Sequence, residues 1–250
     1  MEIKDKVALV TGGAHRVGRV MMLALAKAGA NVVINYRSSR EEAERTAEEA
    51  RAYGVEAMTV QADVAHYDQV KRMAEEVRQK FGGVDILINS ASIFQKTPFP
   101  LEDVELWHQV TAIQIDGPFY CANVFAPDML KRGEGVIINI VDLSAWEPWP
   151  NFAAHSVGKA ALLALTRQLA LELAPAVRVN AIAPGPVLPP PDYDDAKIAR
   201  TAKKTLLQRW GSPEDISHAV LFLVESNYIT GDTIIVDGGE RFAHRRTEEG

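Results

Sequence analysis

The chain has 250 residues, of which 47% are hydrophobic and 24% charged, with a formal net charge of −6 and a single cysteine, Cys121. This length and apolar share suffice for one substantial α/β core, and nothing marks a second domain, so a single domain over residues 1–250 is expected. Basic residues scattered among acids argue against a nucleic-acid partner, a lone cysteine excludes an intrachain disulfide, and no apolar run reaches membrane-spanning length.

The N-terminal segment Met1-Glu2-Ile3-Lys4 lacks the apolar stretch of a leader, so a soluble, cytoplasmic protein with no membrane partner is expected. The six histidines, His15, His66, His108, His155, His218 and His244, show no close ligand spacing, and no metal is expected. Val7-Ala8-Leu9-Val10 is a short apolar run that reads as a strand. It leads into Thr11-Gly12-Gly13-Ala14-His15-Arg16-Val17-Gly18 and then an apolar helical stretch to Gly29. Glycines in such a turn let the backbone approach a pyrophosphate, whose charge is stabilised by free amides at the helix N-terminus. A second strand, Val32-Val33-Ile34, follows at the distance expected of a dinucleotide-binding βαβ unit.

Further on, helical stretches at Glu41 to Tyr53, Tyr67 to Phe81, Glu105 to Leu130, Phe152 to Leu173 and Pro213 to Glu225 alternate with strands. Those strands lie near Ala57 to Gln61, Asp85 to Asn89, Gly135 to Val141, Arg178 to Ala183 and Thr233 to Asp237. Repeated strand–helix–strand units with right-handed crossovers give a doubly wound, seven-stranded parallel sheet of Rossmann type, with helices on both faces. Ligands bind such sheets beyond the carboxyl ends of the strands, which singles out the loops 11–18, 35–39, 62–65, 89–97, 142–151 and 184–192. The end of the chain, Ala243 to Gly250, reads as a flexible, solvated tail.

A carboxylate at the end of the second strand would bind an adenosine ribose diol and repel a 2′-phosphate. This chain has Asn35-Tyr36-Arg37-Ser38-Ser39 there, with no acid before Glu41. Arg37 can make charge-assisted hydrogen bonds to a phosphate, and the serines can donate, so the expected cofactor is NADP(H).

Taken together, Thr11-Gly12 to Gly18, Asp63, Asn89-Ser90-Ala91, Lys159, Asn180, Pro184-Gly185 and Asp237-Gly238-Gly239 resemble the short-chain dehydrogenase/reductase superfamily over nearly the whole chain. The resemblance implies hydride transfer to or from a small-molecule carbonyl, alcohol or activated double bond, in a homodimer or homotetramer. It also implies cofactor contacts from Gly12, His15, Arg16, Val17, Gly18, Tyr36, Arg37, Ser38, Asp63, Val64, Asn89, Ser90, Ala91, Lys159, Pro184, Gly185 and Val187. The helices equivalent to Glu105 to Leu130 and Phe152 to Leu173 usually form the family's subunit interface.

Arg16 in the glycine turn, Tyr36-Arg37-Ser38, the loop Ser90-Ala91-Ser92-Ile93-Phe94 and Asp142 in the usual serine position resemble the pteridine reductases more narrowly. By that resemblance Phe94 stacks a flat heteroaromatic substrate and Ser92 hydrogen-bonds its edge. The family's catalytic positions depart from the common pattern: His155 stands for the tyrosine, Gln114 for the asparagine and Asp142 for the serine, while Lys159 is retained. Imidazole is a capable acid and base, and residues 155 and 159 share a helix face. The expectation is therefore that Asp142 offsets Lys159 and keeps His155 able to donate a proton during reduction. One alternative is a protein that binds NADP(H) without turnover, as a sensor or partner subunit; a second is a 3-oxoacyl or other ketone reductase.

Trp146, Trp149 and Phe152 lie between Asp142 and His155, where they could wall the substrate site or serve a subunit contact. Past Pro184-Gly185 the family's substrate lid carries Pro189-Pro190-Pro191 and then the acidic stretch Asp192 to Asp195. Acid near the mouth would disfavour strongly anionic substrates.

Overall fold

The computed structural model describes residues 1–245. Seven parallel strands form one sheet in the order β3-β2-β1-β4-β5-β6-β7. They are β1 (Val7–Val10), β2 (Asn31–Tyr36), β3 (Ala57–Gln61), β4 (Ile86–Asn89), β5 (Gly135–Ile140), β6 (Val177–Pro184) and β7 (Thr233–Val236). The central strands β1 and β4 are buried along their whole length and read as short apolar runs because both faces are covered. Along β1, Ala8 and Val10 pack into one core with Met21, Met22 and Leu25, while Val7 and Leu9 pack into the other with Phe125 and Met129.

The helices are α1 (Arg16–Lys27), α2 (Arg40–Arg51), α3 (Tyr67–Phe81), α4 (Val104–Thr111), α5 (Gly117–Arg132), α6 (Ala153–Leu173), α7 (Asp195–Lys203) and α8 (Pro213–Glu225). Residues α1 and α8 contribute fill the first core, and those of α3 and α5 fill the second. Among the described residues, no helix is long and apolar enough to cross a membrane.

Three elements differ from the sequence expectation. The helix expected over 105–130 is broken into α4 and α5 by a wide π-helical turn, Ala112–Asp116. Such turns insert an extra residue into the helical repeat and often mark functional sites; this one carries Gln114, which is 1% exposed. The segment after the triple proline, for which no helix was expected, contains one. Asp194 caps a short helix, α7, by accepting from the Lys197 amide. Of the expected solvated tail, Ala243–Arg245 belong to a 3-10 turn, Glu240–Arg245, and residues 246–250 lie outside the described residues.

The order 3-2-1-4 reverses the direction of winding at β1, so the crevice beside the carboxyl ends of β1 and β4 is the natural ligand position.

Candidate active site

The turn from β1 into α1 is built by close approach. Gly12 has φ +66°, and a Cβ at Gly18 would lie 2.3 Å from the Gly12 carbonyl oxygen. Only glycine permits that contact. Thr11 Oγ1 accepts from the Ser90 and Ala91 amides, which ties the β4 loop to the same turn.

A cleft of about 470 Å³ opens here. From the turn it is lined by Gly12, His15, Arg16, Val17 and Gly18, and from the end of β2 by Tyr36, Arg37 and Ser38. Asp63 and Val64 line it from the β3 loop, Ser90 and Ala91 from the β4 loop. Asn89 stays within the sheet, 3% exposed, where its Nδ2 donates to Asn139 Oδ1. Lys159, Pro184, Gly185 and Val187 line an adjoining cavity of about 730 Å³, and Arg16, Val17, Ser90 and Ser92 border both spaces.

The cleft suits a phosphorylated dinucleotide. Arg37 is 58% exposed, with its guanidinium 3.9 Å from Asp63. Ser39 caps α2 without spending its hydroxyl on the helix, and the first acids past β2 are Glu41 and Glu42, within α2. Within the turn from β2 to α2, no acid therefore competes with an anion for Arg37 and the serine hydroxyls. Arg16 has a second task that the sequence did not suggest. It adopts φ +53°, a left-handed conformation uncommon outside glycine, and its Nη2 donates to the carbonyls of Leu188 and Pro189. It thus clasps the glycine turn to the loop after β6.

In the larger cavity Asp142, at the start of the loop after β5, meets His155 and Lys159 from the first turns of α6. Asp142 Oδ2 lies 2.7 Å from His155 Nε2, and Asp142 Oδ1 accepts from the amide and hydroxyl of Ser144. His155 Nδ1 is 2.9 Å from Gln114 Nε2, so the π-helical turn delivers the fourth expected residue to the same network. Lys159 Nζ donates to the Ile140 carbonyl at 2.8 Å. All four catalytic candidates come together. The His155 side chain is 3% exposed and both ring nitrogens are engaged, whereas the Asp142 side chain is 15% exposed. The carboxylate, not the imidazole, is the more open of the pair.

Burial works to raise the Asp142 pKa, yet the hydrogen bond from His155 and the charge of Lys159 outweigh it and hold the carboxyl below its ordinary value. Burial lowers the Lys159 pKa, with Asp142 acting in the opposite sense. Cys121 is remote from this chemistry, its thiol pushed up to about 12 by burial.

Aromatic rings wall the cavity. Phe94 is 53% exposed, not packed in the core, and stacks on Phe152 with centroids 4.5 Å apart. Trp149 lies parallel to the His155 ring at 5.9 Å. Both line the cavity with Ser92. The Phe94 loop is pinned to the start of α6 through Thr97, whose amide donates to the Asn151 carbonyl and whose hydroxyl accepts from the Ala154 amide. Trp146 lies outside the cavity lining.

Of the acidic stretch, Tyr193 alone joins the cavity lining. Asp194 is spent on capping α7, and Asp192 and Asp195 do not reach the cavity. Its charged lining is instead Arg16, Lys96, Lys159, Lys197 and Lys204 against Asp142 and Glu240. The one-turn spacing of Lys197, Thr201 and Lys204 on α7 and at its C-terminus sets these three on the side that faces the cavity. Glu240, just past Asp237-Gly238-Gly239, was missed in the sequence; burial raises its pKa, with Lys204 opposing.

Comparison with known proteins accords with this geometry. The family model described as Enoyl-(Acyl carrier protein) reductase matches residues 12–240. The chain is 38% identical over 241 residues to the 3-oxoacyl-(acyl-carrier-protein) reductase FabG of Staphylococcus epidermidis, covering 94% of this chain and 98% of that protein. It is 36% identical to 3beta-hydroxysteroid dehydrogenase 1 of Eggerthella lenta, over 95% of this chain and 94% of the relative. A gluconate 5-dehydrogenase from Burkholderia cenocepacia, solved in complex with NADP and tartrate, superposes with a TM-score of 0.89 at 31% identity, covering 96% and 97% of the two chains. With the glycine turn, the sheet order and Lys159 in place, the chain belongs to the short-chain dehydrogenase/reductase family of oxidoreductases.

Proposed function

We propose that the protein is a cytoplasmic NADP(H)-dependent reductase acting on a carbonyl or planar, pterin-like small molecule. The observation that carries this reading is the convergence of Asp142, His155 and Lys159 in an aromatic-walled cavity that opens directly onto the phosphate-binding cleft. When bound, NADP(H) supplies or takes up the hydride. Arg37, Ser38 and Ser39 would hold its 2′-phosphate, the glycine turn and the α1 amides would take its pyrophosphate, and Lys159 and the Pro184–Val187 segment would border the reacting end. The protein's remaining task is to place one proton, which the Asp142–His155 pair exchanges with the substrate beside the Lys159 cation.

Phe94 and Trp149 favour a flat substrate, each ring contributing on the order of 1 kcal/mol beyond area burial, with Ser92 at its edge. A second reading, a 3-oxoacyl or other ketone substrate, is favoured by the identity to FabG. An oligomer, a homodimer or homotetramer, accords with the exposed apolar side chains Phe119, Leu130, Val157 and Leu171 on α5 and α6.

The test is NADPH consumption with 7,8-dihydrobiopterin, a 3-oxoacyl thioester and a panel of ketones and quinones, after cofactor binding is established by fluorescence. Turnover that falls at least about 100-fold in Asp142→Asn or Lys159→Ala, with NADPH binding retained in Asp142→Asn, is expected. NADPH binding with no consumption of any of these would favour a sensor or partner subunit instead.

A further inference from the structure

The state of His155 can be read from its surroundings. The Gln114 amide has three neighbours on its nitrogen side: the Ile93 carbonyl at 3.2 Å, His155 Nδ1 at 2.9 Å and Ser92 Oγ at 3.4 Å. The Ile93 carbonyl can only accept, so it fixes which end of the amide is nitrogen. The amide then donates to His155 Nδ1, which must be unprotonated, and the ring proton sits on Nε2, facing Asp142 Oδ2 at 2.7 Å. Gln114 Oε1 is left buried without a partner among the described residues. It lies against Gly158, where a Cβ would approach it to 2.6 Å, so the glycine preceding Lys159 makes room for this placement.

An imidazolium would carry a second N–H at Nδ1, pointing at an amide N–H. To accept it the amide must turn over, which sets Oε1 against the Ile93 carbonyl and breaks that bond. The charged groups that line the same cavity are Lys159 on the same helix, Arg16 in the glycine turn, Lys96 in the β4 loop, Lys197 and Lys204 from the α7 segment, and Glu240 after β7.

We infer that Gln114 locks His155 as the neutral Nε2–H tautomer, which makes His155 a positioning residue that aims the Asp142 carboxylate and not itself the proton donor to substrate. Within the proton machinery proposed above, the inference divides the labour. Asp142 Oδ1 takes two donors and Oδ2 one, leaving one of a carboxylate's roughly four acceptor positions open on the partner that reaches the cavity. A substrate hydroxyl gives its proton to that position on oxidation; on reduction the carboxylate, 15% exposed, first takes a proton from solvent there and then passes it to the substrate oxygen, with His155 unchanged throughout.

The experiment is long-range ¹⁵N–¹H NMR of the full chain labelled at histidine, with and without NADPH, from about pH 5 to about pH 8, where an unperturbed imidazole titrates. The His155 signals are identified by their absence from His155→Asn. The expected spectrum keeps Nδ1 in the unprotonated region and Nε2 in the protonated region across that range. Gln114→Glu supplies an acceptor and is expected to move Nδ1 to the protonated region at neutral pH, whereas Gln114→Leu, which only removes the donor, is expected to restore an ordinary titration. A protonated Nδ1 in the wild type at neutral pH, or His155 signals that neither Gln114 variant moves, would overturn the inference. The readout requires no turnover, so a failure of the reductase reading would leave it standing.

Discussion

Asp142 is the residue whose charge state decides most. Its carboxylate is held by His155, Ser144 and the field of Lys159, and its pKa lies below the ordinary value despite burial. A carboxyl with a depressed folded-state pKa stabilises the protein above its unfolded pKa, and that stability is lost as pH falls through the folded value. Asp142→Asn is therefore expected to cost about 1–3 kcal/mol in denaturant unfolding near neutral pH. The cost should shrink toward zero in acid, once both folded and unfolded carboxyls are protonated; an equal cost at both pH values would assign the effect to shape and not charge. The spacing of residues 142, 155 and 159 was legible in the sequence because one helical turn sets 155 and 159 on a common face. Which ring nitrogen meets which partner was not, since Gln114 reaches His155 across 41 positions of chain through a fold-dependent contact.

At the scale of elements, strands buried on both faces announce themselves as short apolar runs, and all seven were readable. The π-helical turn was not, because Ala112–Asp116 continues the apolar rhythm of its neighbours and its extra residue is fixed by packing against α6 and the β4 loop. Helix α7 was hidden by three preceding prolines and a run of acids, one of which is its cap. The start of α1 is set more firmly. A methyl group at Gly18 would sit 2.3 Å from a backbone oxygen that cannot swing aside. Gly18→Ala is expected to destabilise the fold by about 1–3 kcal/mol, the usual cost of overpacking, and to weaken NADPH binding because the turn and the helix N-terminus must separate. Thermal unfolding and fluorescence titration on one preparation check both, and unchanged affinity beside lowered stability would separate the turn's packing from its ligand role.

Over the whole molecule, charge is distributed against its own sum. The chain carries a formal −6, yet the cavity's charged lining is mostly basic, and Arg37 adds to the adjoining cleft. The acids are spent elsewhere, many of them along α2 and α3 and in surface pairs such as Asp68 with Arg72. A recess of one sign focuses its field and speeds association with ligands of the other, an effect that salt screens. Net charge alone would forecast slow capture of an anionic dinucleotide; the local distribution forecasts the reverse. The NADPH association rate, followed by stopped-flow fluorescence, is expected to fall as ionic strength rises from about 0.01 M to about 0.1 M, over which the Debye length shrinks from about 30 Å to about 10 Å. Arg37→Ser should lower NADPH affinity by roughly 10- to 100-fold, the equivalent of about 1.5–3 kcal/mol for a hydrogen bond to a charged group, and leave NADH binding nearly unchanged. If the variant instead weakened both dinucleotides alike, Arg37 would be acting through the general field of the cleft and not on the 2′-phosphate, and the cofactor preference would have to rest on Ser38 and Ser39.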